Sequence, residues 1–211
     1  MNAILKKASE IDRSVWLAFL AHSPQAAIYM HPGFLDVVAP GWQAIELWRD
    51  RDLLAIMPLY LKQKAGYTYS LQPSFCQYWG ILFAGGDLGN AYKTYSHRRK
   101  VVKAIVEAIP QEIKWFLHGF APEFDYPHPF HWAGYALTTR YTYQLDLGVG
   151  YATIEKNFGN DTRYDIRKAV GEGCTVHEAQ DVQGLADLVA ANNQHAKRLL
   201  SAPDLQTLKR I

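Results

Sequence analysis

Apolar and polar positions recur along the chain in two rhythms, and each change of rhythm marks an element. Residues Ala3–Ala8 read as a short opening strand, and Ser9 is placed to cap a helix whose apolar side is Ile11, Val15, Trp16, Phe19 and Leu20, running to about Ser23. HPGFLDVVAP predicts a second, shorter helix between Pro32 and Pro40, since proline is tolerated in a first turn and stops a helix from beyond its end. WQAIELWRD, the polar turn Arg49–Asp52 and LLAIMPLYLKQ predict an antiparallel hairpin with one strongly buried strand. Pro58 places a bulge or an edge in it, because proline has no N–H for the ladder.

In GYTYSLQP, Tyr67, Tyr69 and Leu71 alternate with Thr68 and Ser70, so the two sets take opposite faces of a strand. GILFAGG predicts a further strand, and the spacing of Tyr95, Val102, Ile105, Val106 and Ile109 predicts a helix from about Asn90 that Pro110 ends. KWFLHGF then reads as a strand, PEFDYPHPFHWAG as a short helix or proline-broken loop, and YALTTRYTYQLDL as a long strand. This order fits an α+β chain with an open mixed, mostly antiparallel sheet flanked by helices on both faces.

Beyond Gly148 the pattern is YATIEKNF and NDTRYDIRKAVGEG as helices, CTVHEAQ as a strand and DVQGLADLVAANNQHAKRLL as a third helix. One strand cannot make a sheet for those apolar faces. Either that strand joins the first sheet, or its partners lie beyond Ile211 and the chain is a domain over 1–148 followed by the helical beginning of a second, incomplete domain over 149–211.

Composition narrows the class. Hydrophobic residues make up 49% and charged residues 20%, which excludes a disordered or coiled-coil chain. The net charge of +2 is too small for a global nucleic-acid footprint, although it leaves room for a local basic patch. Cys76 and Cys174 lie far apart without metal-ligand spacing, which predicts two buried thiols in a reducing compartment and no zinc. The longest apolar run, LLAIMPLYL, is far below the ~18 residues of a membrane span, and the N-terminus has no secretory apolar core, so a cytoplasmic location is expected. No Ser/His/Asp order, P-loop or HExxH is present.

Several residues carry candidate chemistry. Arg163 and Arg167, four apart, flank a stripe of Ile166, Ala169 and Val170, so both guanidinium groups point the same way. That arrangement serves either as a phosphate or carboxylate clamp or as a solvated rim paired with Asp165 or Glu172. Tyr67, Tyr69, Tyr141 and Tyr143 read first as core residues whose hydroxyls find partners, with a stacking platform for sugar or base as the sharper alternative. His128 and His131 beside Asp125 could line a pocket or hold a metal, but Pro129 breaks the helical spacing a metal pair needs. Asp146, Glu155, His118 and Tyr143 are the acid/base candidates.

The pieces QYWGILF, RYTYQLDL and above all FGNDTRYDIRKAVGEGCTV, with Arg163, Ile166, Arg167, Lys168, Ala169, Gly173 and Val176, resemble the FemAB-like branch of the GNAT superfamily. The resemblance implies two GNAT-like lobes, of which this chain holds the first and the opening of the second. It implies acyl or aminoacyl transfer from acyl-CoA or aminoacyl-tRNA to an amine or hydroxyl of an envelope or sugar-linked acceptor, with no covalently bound cofactor and with tRNA as a partner. Arg163, Arg167 and Lys168, together with Gln77, Tyr78, Tyr141 and Tyr143, are the substrate-binding candidates.

The family's carrier pyrophosphate sits at a strand-to-helix junction marked [QR]xxGx[GA]. Gln77, Tyr78, Trp79 and Gly80 begin such a signature, but Ile81 and Leu82 are bulky where a small residue is needed. GGDLGN, Gly85 to Asn90, also opens a helix, yet Asp87 stands where the anion would bind. Two rivals accompany the transferase reading: a non-catalytic module that forms a homodimer through its exposed apolar surface, and an RNA-binding scaffold using Arg163, Arg167, Lys168 and Arg98 to Lys100.

Overall fold

The computed structural model describes residues 1–85, 89–178, 181–195 and 201–211. The chain is α+β and divides into two compact units, one made of residues 1–137 and 183–211, the other of 138–182.

The first unit opens with β1 (Asn2–Lys7), α1 (Arg13–Leu20) and α2 (Pro32–Val38). A 3-10 turn over Ala8–Glu10 intervenes, so the cap of α1 is Asp12 rather than Ser9. Its Oδ1 accepts from the backbone N–H of Ser14 at 2.9 Å and of Val15 at 3.1 Å, satisfying two of the donors a helix leaves free at its start. In α2, Pro32 takes the first turn and His31 Nδ1 accepts from Gly33 N–H at 3.2 Å.

The expected hairpin follows as β2 (Gln43–Arg49) and β3 (Asp52–Leu59), turning at Asp50 with a φ of 56°. Alternation sends Ile45, Leu47, Met57 and Leu59 to one face, where they pack with Val102 and Ile105 of α3 (Ala91–Glu107). Ala44 and Ile56 point to the other face, onto Trp16, Leu35 and Trp42. Both faces are covered, which is why β3 is a continuous apolar run. The sheet order is β1-β2-β3-β6, all antiparallel, with β6 only Leu82–Phe83. Among the described residues β6 pairs with Ala55 and Ile56, so Pro58, buried and opposite Ala44 of β2, lies past its reach. The register shift falls elsewhere, at Leu47/Trp48.

A single open sheet does not form. After Tyr60 the chain enters a second, three-stranded sheet, β4-β5-β7, built from β4 (Leu61–Lys64), β5 (Tyr67–Leu71) and β7 (Ile113–Leu117). β4 pairs antiparallel with β5, and β5 pairs parallel with β7. Its inner face holds Leu61, Ser70 and Phe116, while Tyr67 is 63% and Trp115 66% exposed on the outer one. The reading of Tyr67 as core is therefore overturned: the small Ser70, not the tyrosines, faces inward. α4 (His128–Trp132) is the short helix of the proline-rich stretch, and α7 (Val182–His195) and α8 (Ala202–Leu208) come later in the chain. The expected extension of α7 over Ala196 to Leu200 lies outside the described residues.

In the second unit, α5 (Tyr151–Lys156) and α6 (Asn160–Gly171) form where the apolar spacing predicts. Residues 135–147, expected as a long strand, have no ladder, and Tyr141 and Tyr143 are fully solvent-facing. Cys174 to Glu178, expected as strand, are likewise irregular, and Ala179 and Gln180 lie outside the described residues. No helix among the described residues is long and apolar enough to cross a membrane.

Candidate functional site

The second unit contains a groove of about 350 Å³ lined by Glu155, Lys156, Phe158, Arg163, Ile166 and Arg167. Its geometry starts from the corner between α5 and α6. α5 ends at Lys156, and Gly159 is extended at φ −62° and ψ 162°, turning the chain into α6. Gly159 has no side chain to cap α6, whereas the end of α5 is capped from α6: Arg163 Nη2 donates to the carbonyl oxygen of Lys156 at 2.7 Å. A cation at a helix C-terminus meets both an unpaired carbonyl and the negative end of the helix dipole. Arg163 therefore holds the groove's shape.

Arg167, one turn further along α6, makes no hydrogen bond or ion pair among the described residues. Its planar fork is open to a ligand anion above the apolar floor of Phe158 and Ile166, with Glu155 supplying a carboxylate on the same groove. The two arginines thus have different work, although their spacing alone made them equivalent. Lys168 points to Glu172, 3.9 Å away on an exposed part of the helix, and does not line the groove. Among the described residues neither Asp165 nor Glu172 pairs with an arginine.

The other sequence candidates are not gathered at this groove. Tyr141 and Tyr143 stand on the irregular segment 136–146. Gln77 and Tyr78 belong to the first unit, Gln77 exposed and Tyr78 packed edge-on against Tyr29 with ring centroids 6.2 Å apart. The glycine of their would-be phosphate turn has a packing reason instead. A Cβ on Gly80 would lie 2.0 Å from the Phe120 ring, so the backbone approaches an aromatic there. At the start of α3, Asn90 Oδ1 already accepts from Lys93 N–H at 2.9 Å, and Asp87 lies outside the described residues. Asp125 pairs with Arg98, and His128 packs against the rings of Tyr126 and Trp132. Asp146 caps the 3-10 turn Leu147–Val149 by accepting from Gly148 N–H at 2.8 Å. Cys76 is buried, its thiol pushed up to about 12 by desolvation, but Cys174 is exposed, which corrects the expectation of two buried thiols.

Two arrangements had no signal in the spacing. His118 follows β7 and its Nε2 lies 2.8 Å from Ser70 Oγ, a hydroxyl with no solvent exposure. The ring stacks on Phe116 at 3.9 Å between centroids, and Nδ1, sealed from water, has no partner among the described residues. Burial lowers its pKa to about 3. Ser70 is sealed in, so this pair is structural. On the four-stranded sheet, the buried carboxylate of Glu46 is held by Lys6 Nζ at 2.7 Å and by the indole N–H of Trp48 at 2.9 Å. Lys6 of β1 and Glu46 of β2, and Ser70 of β5 and His118 just past β7, are far apart in sequence and meet through strand pairing, whereas Trp48 lies two residues from Glu46 on β2 itself.

No family model, no curated protein and no solved structure matches this chain.

Proposed function

We propose that this chain is a transferase of the FemAB/GNAT type, moving an acyl or aminoacyl group from coenzyme A or an aminoacyl-tRNA to an amine or hydroxyl of an envelope or sugar-linked acceptor. In this reading the groove between α5 and α6 holds an anionic part of one substrate. The observation that carries it is Arg167, a guanidinium unpaired among the described residues and lying over an apolar floor, one turn from an arginine committed to shaping the groove. Support for the family comes from the RYDIRKAVGEG stretch on α6 and from the helix-flanked antiparallel sheet running into a mixed one.

The chemistry asked of the site is modest. The acceptor nitrogen or oxygen bonds to the carbonyl carbon, and the bond to the carrier's sulfur or ribose oxygen breaks with its electron pair. The acceptor's proton passes to a base, for which Glu155 is the groove's carboxylate. Fixed donors stabilise the charge that develops on the carbonyl oxygen.

Calorimetry tests the reading. Arg167→Ala weakens binding of the donor about tenfold, the lower end of what a hydrogen bond to a charged group contributes, and leaves the melting temperature unchanged. Arg163→Ala lowers the melting temperature, because it uncaps α5. No heat with millimolar acetyl-CoA and no binding of an aminoacyl-tRNA would remove the donor from this polypeptide.

A second reading, a non-catalytic module that dimerises, draws on the run Tyr141, Tyr143, Leu145 and Leu147, all exposed and alternating with polar residues. Light scattering decides it: a dimer that Tyr143→Lys dissociates favours assembly over transfer.

A further inference from the structure

The outer face of the three-stranded sheet carries a pattern that neither the core nor the groove uses. The register sets Lys62 of β4, Tyr69 of β5 and Trp115 of β7 in one row across the sheet, and Lys64 beside Tyr67 in the next. Strand alternation keeps these side chains on the face opposite Leu61, Ser70 and Phe116, which pack inward. Tyr67 and Trp115 each leave about two thirds of their surface in water. Large rings on an open sheet face gain nothing for the core, and such contiguous apolar surface on a folded protein marks a contact site.

We propose that this face is a stacking platform for single-stranded nucleic acid. Unpaired bases present flat π-faces, and exposed aromatic side chains on a sheet take them one after another. Tyr67 and Tyr69, two residues apart on one strand, are separated by about 6.8 Å along it, a step that consecutive nucleotides of an extended strand can span. The backbone of such a ligand is anionic, and Lys62 and Lys64 form its rim. Both are exposed and neither is in an ion pair among the described residues. Lys62 Nζ lies 4.6 Å from the ring centroid of Tyr60, which itself packs partly against the core. Asp204 interacts electrostatically with Lys62, but its carboxylate is engaged by hydrogen bonds from Ser201 and Ser74.

The same charges argue against a second copy of the chain as the occupant. Two such faces brought together by a twofold axis would set the lysines of one against those of the other, and like charges at close range repel. Duplex nucleic acid fits no better, because its bases are already stacked and the rings cannot reach them. The proposal uses no residue of the α5–α6 groove, so its fate is separate from that of the transferase reading.

The test is fluorescence anisotropy with a short, unstructured, labelled RNA, run beside a duplex RNA and heparin as a polyanion without bases. The single strand binds best. Trp115→Ala and Tyr67→Ala each weaken it by about fivefold or more, the lower end of what stacking one base contributes. Lys62→Ala and Lys64→Ala each reduce the slope of log affinity against log salt by about 1. Both aromatic side chains are exposed, so melting temperatures hold; should one variant unfold, the other carries the test. The proposal is overturned by absent binding, by heparin or duplex binding as tightly as the single strand, or by unchanged affinity in both aromatic variants. A dimer that Trp115→Ala dissociates overturns it too, by assigning the face to a second copy.

Discussion

His118 makes the protein's stability depend on acid in a way that one substitution can isolate. In the folded chain its Nε2 is bonded to Ser70 Oγ, and Nδ1 is sealed from water with no acceptor beside it among the described residues. Adding a proton there would bury a charge and a donor with nowhere to go, so desolvation holds the folded pKa near 3, against 6.5 for the free imidazole. Between those two values the unfolded chain binds a proton that the folded chain refuses. Stability therefore rises with pH across the window from about 3 to 6.5, is complete above it, and falls as acid is added.

From pH 7.5 to pH 5, protonation of the unfolded imidazole lowers its free energy by RT ln(1 + 10^1.5), about 2 kcal/mol, while the folded imidazole stays neutral. Chemical denaturation of the native protein and of His118→Asn at both pH values measures the difference. Asparagine cannot titrate and can still bond to Ser70. The native chain should lose about 2 kcal/mol more than the variant, because every other titrating group is common to both. Equal losses in the two proteins would mean that the ring is solvated in the folded state and that the buried pair has been misread.

Two further outcomes follow from packing and access. Gly80→Ala should destabilise the first unit by about 1–3 kcal/mol in the same denaturation assay, since the new methyl group would meet the Phe120 ring at 2.0 Å and force it aside. A disulfide reagent at neutral pH should titrate one thiol quickly, Cys174, and the second only on unfolding, because Cys76 is buried and its thiol is pushed up to about 12.

The fold was most legible where one local rule decided the outcome. The β2–β3 hairpin, α2 and α3 follow from turn residues, prolines and apolar spacing and form where those signals put them, except that the second hairpin strand, expected to run on to Gln63, breaks at Tyr60 and its end joins the other sheet as β4. Misreadings came where two rules competed. Ser9 and Asp12 are both good caps, and the Lys7–Glu10 turn, closed by Lys7 N–H donating to Glu10 Oε2 at 2.8 Å, leaves the start of α1 to Asp12. Alternation in β5 named two faces correctly but could not say which was inner. Bulk favoured the tyrosines, yet the inward face carries Ser70, whose hydroxyl is bonded to His118.

The segment 136–146 marks a limit of a different kind. Its alternation of Tyr141, Tyr143 and Leu145 with Thr142 and Gln144 is as regular as that of β5, yet it joins no ladder. A strand is a relation between two chains of backbone, and periodicity in one of them states only readiness for it. The arginines follow the same logic. A spacing of four residues fixes that Arg163 and Arg167 share a side of α6, but their roles depend on what lies across the corner. The Lys156 carbonyl, supplied by another helix, consumes one guanidinium and so leaves the other free for a ligand. The function proposed for this groove thus rests on an inequality that the interhelical turn creates, and replacing the two arginines one at a time exposes it where the double variant would conceal it.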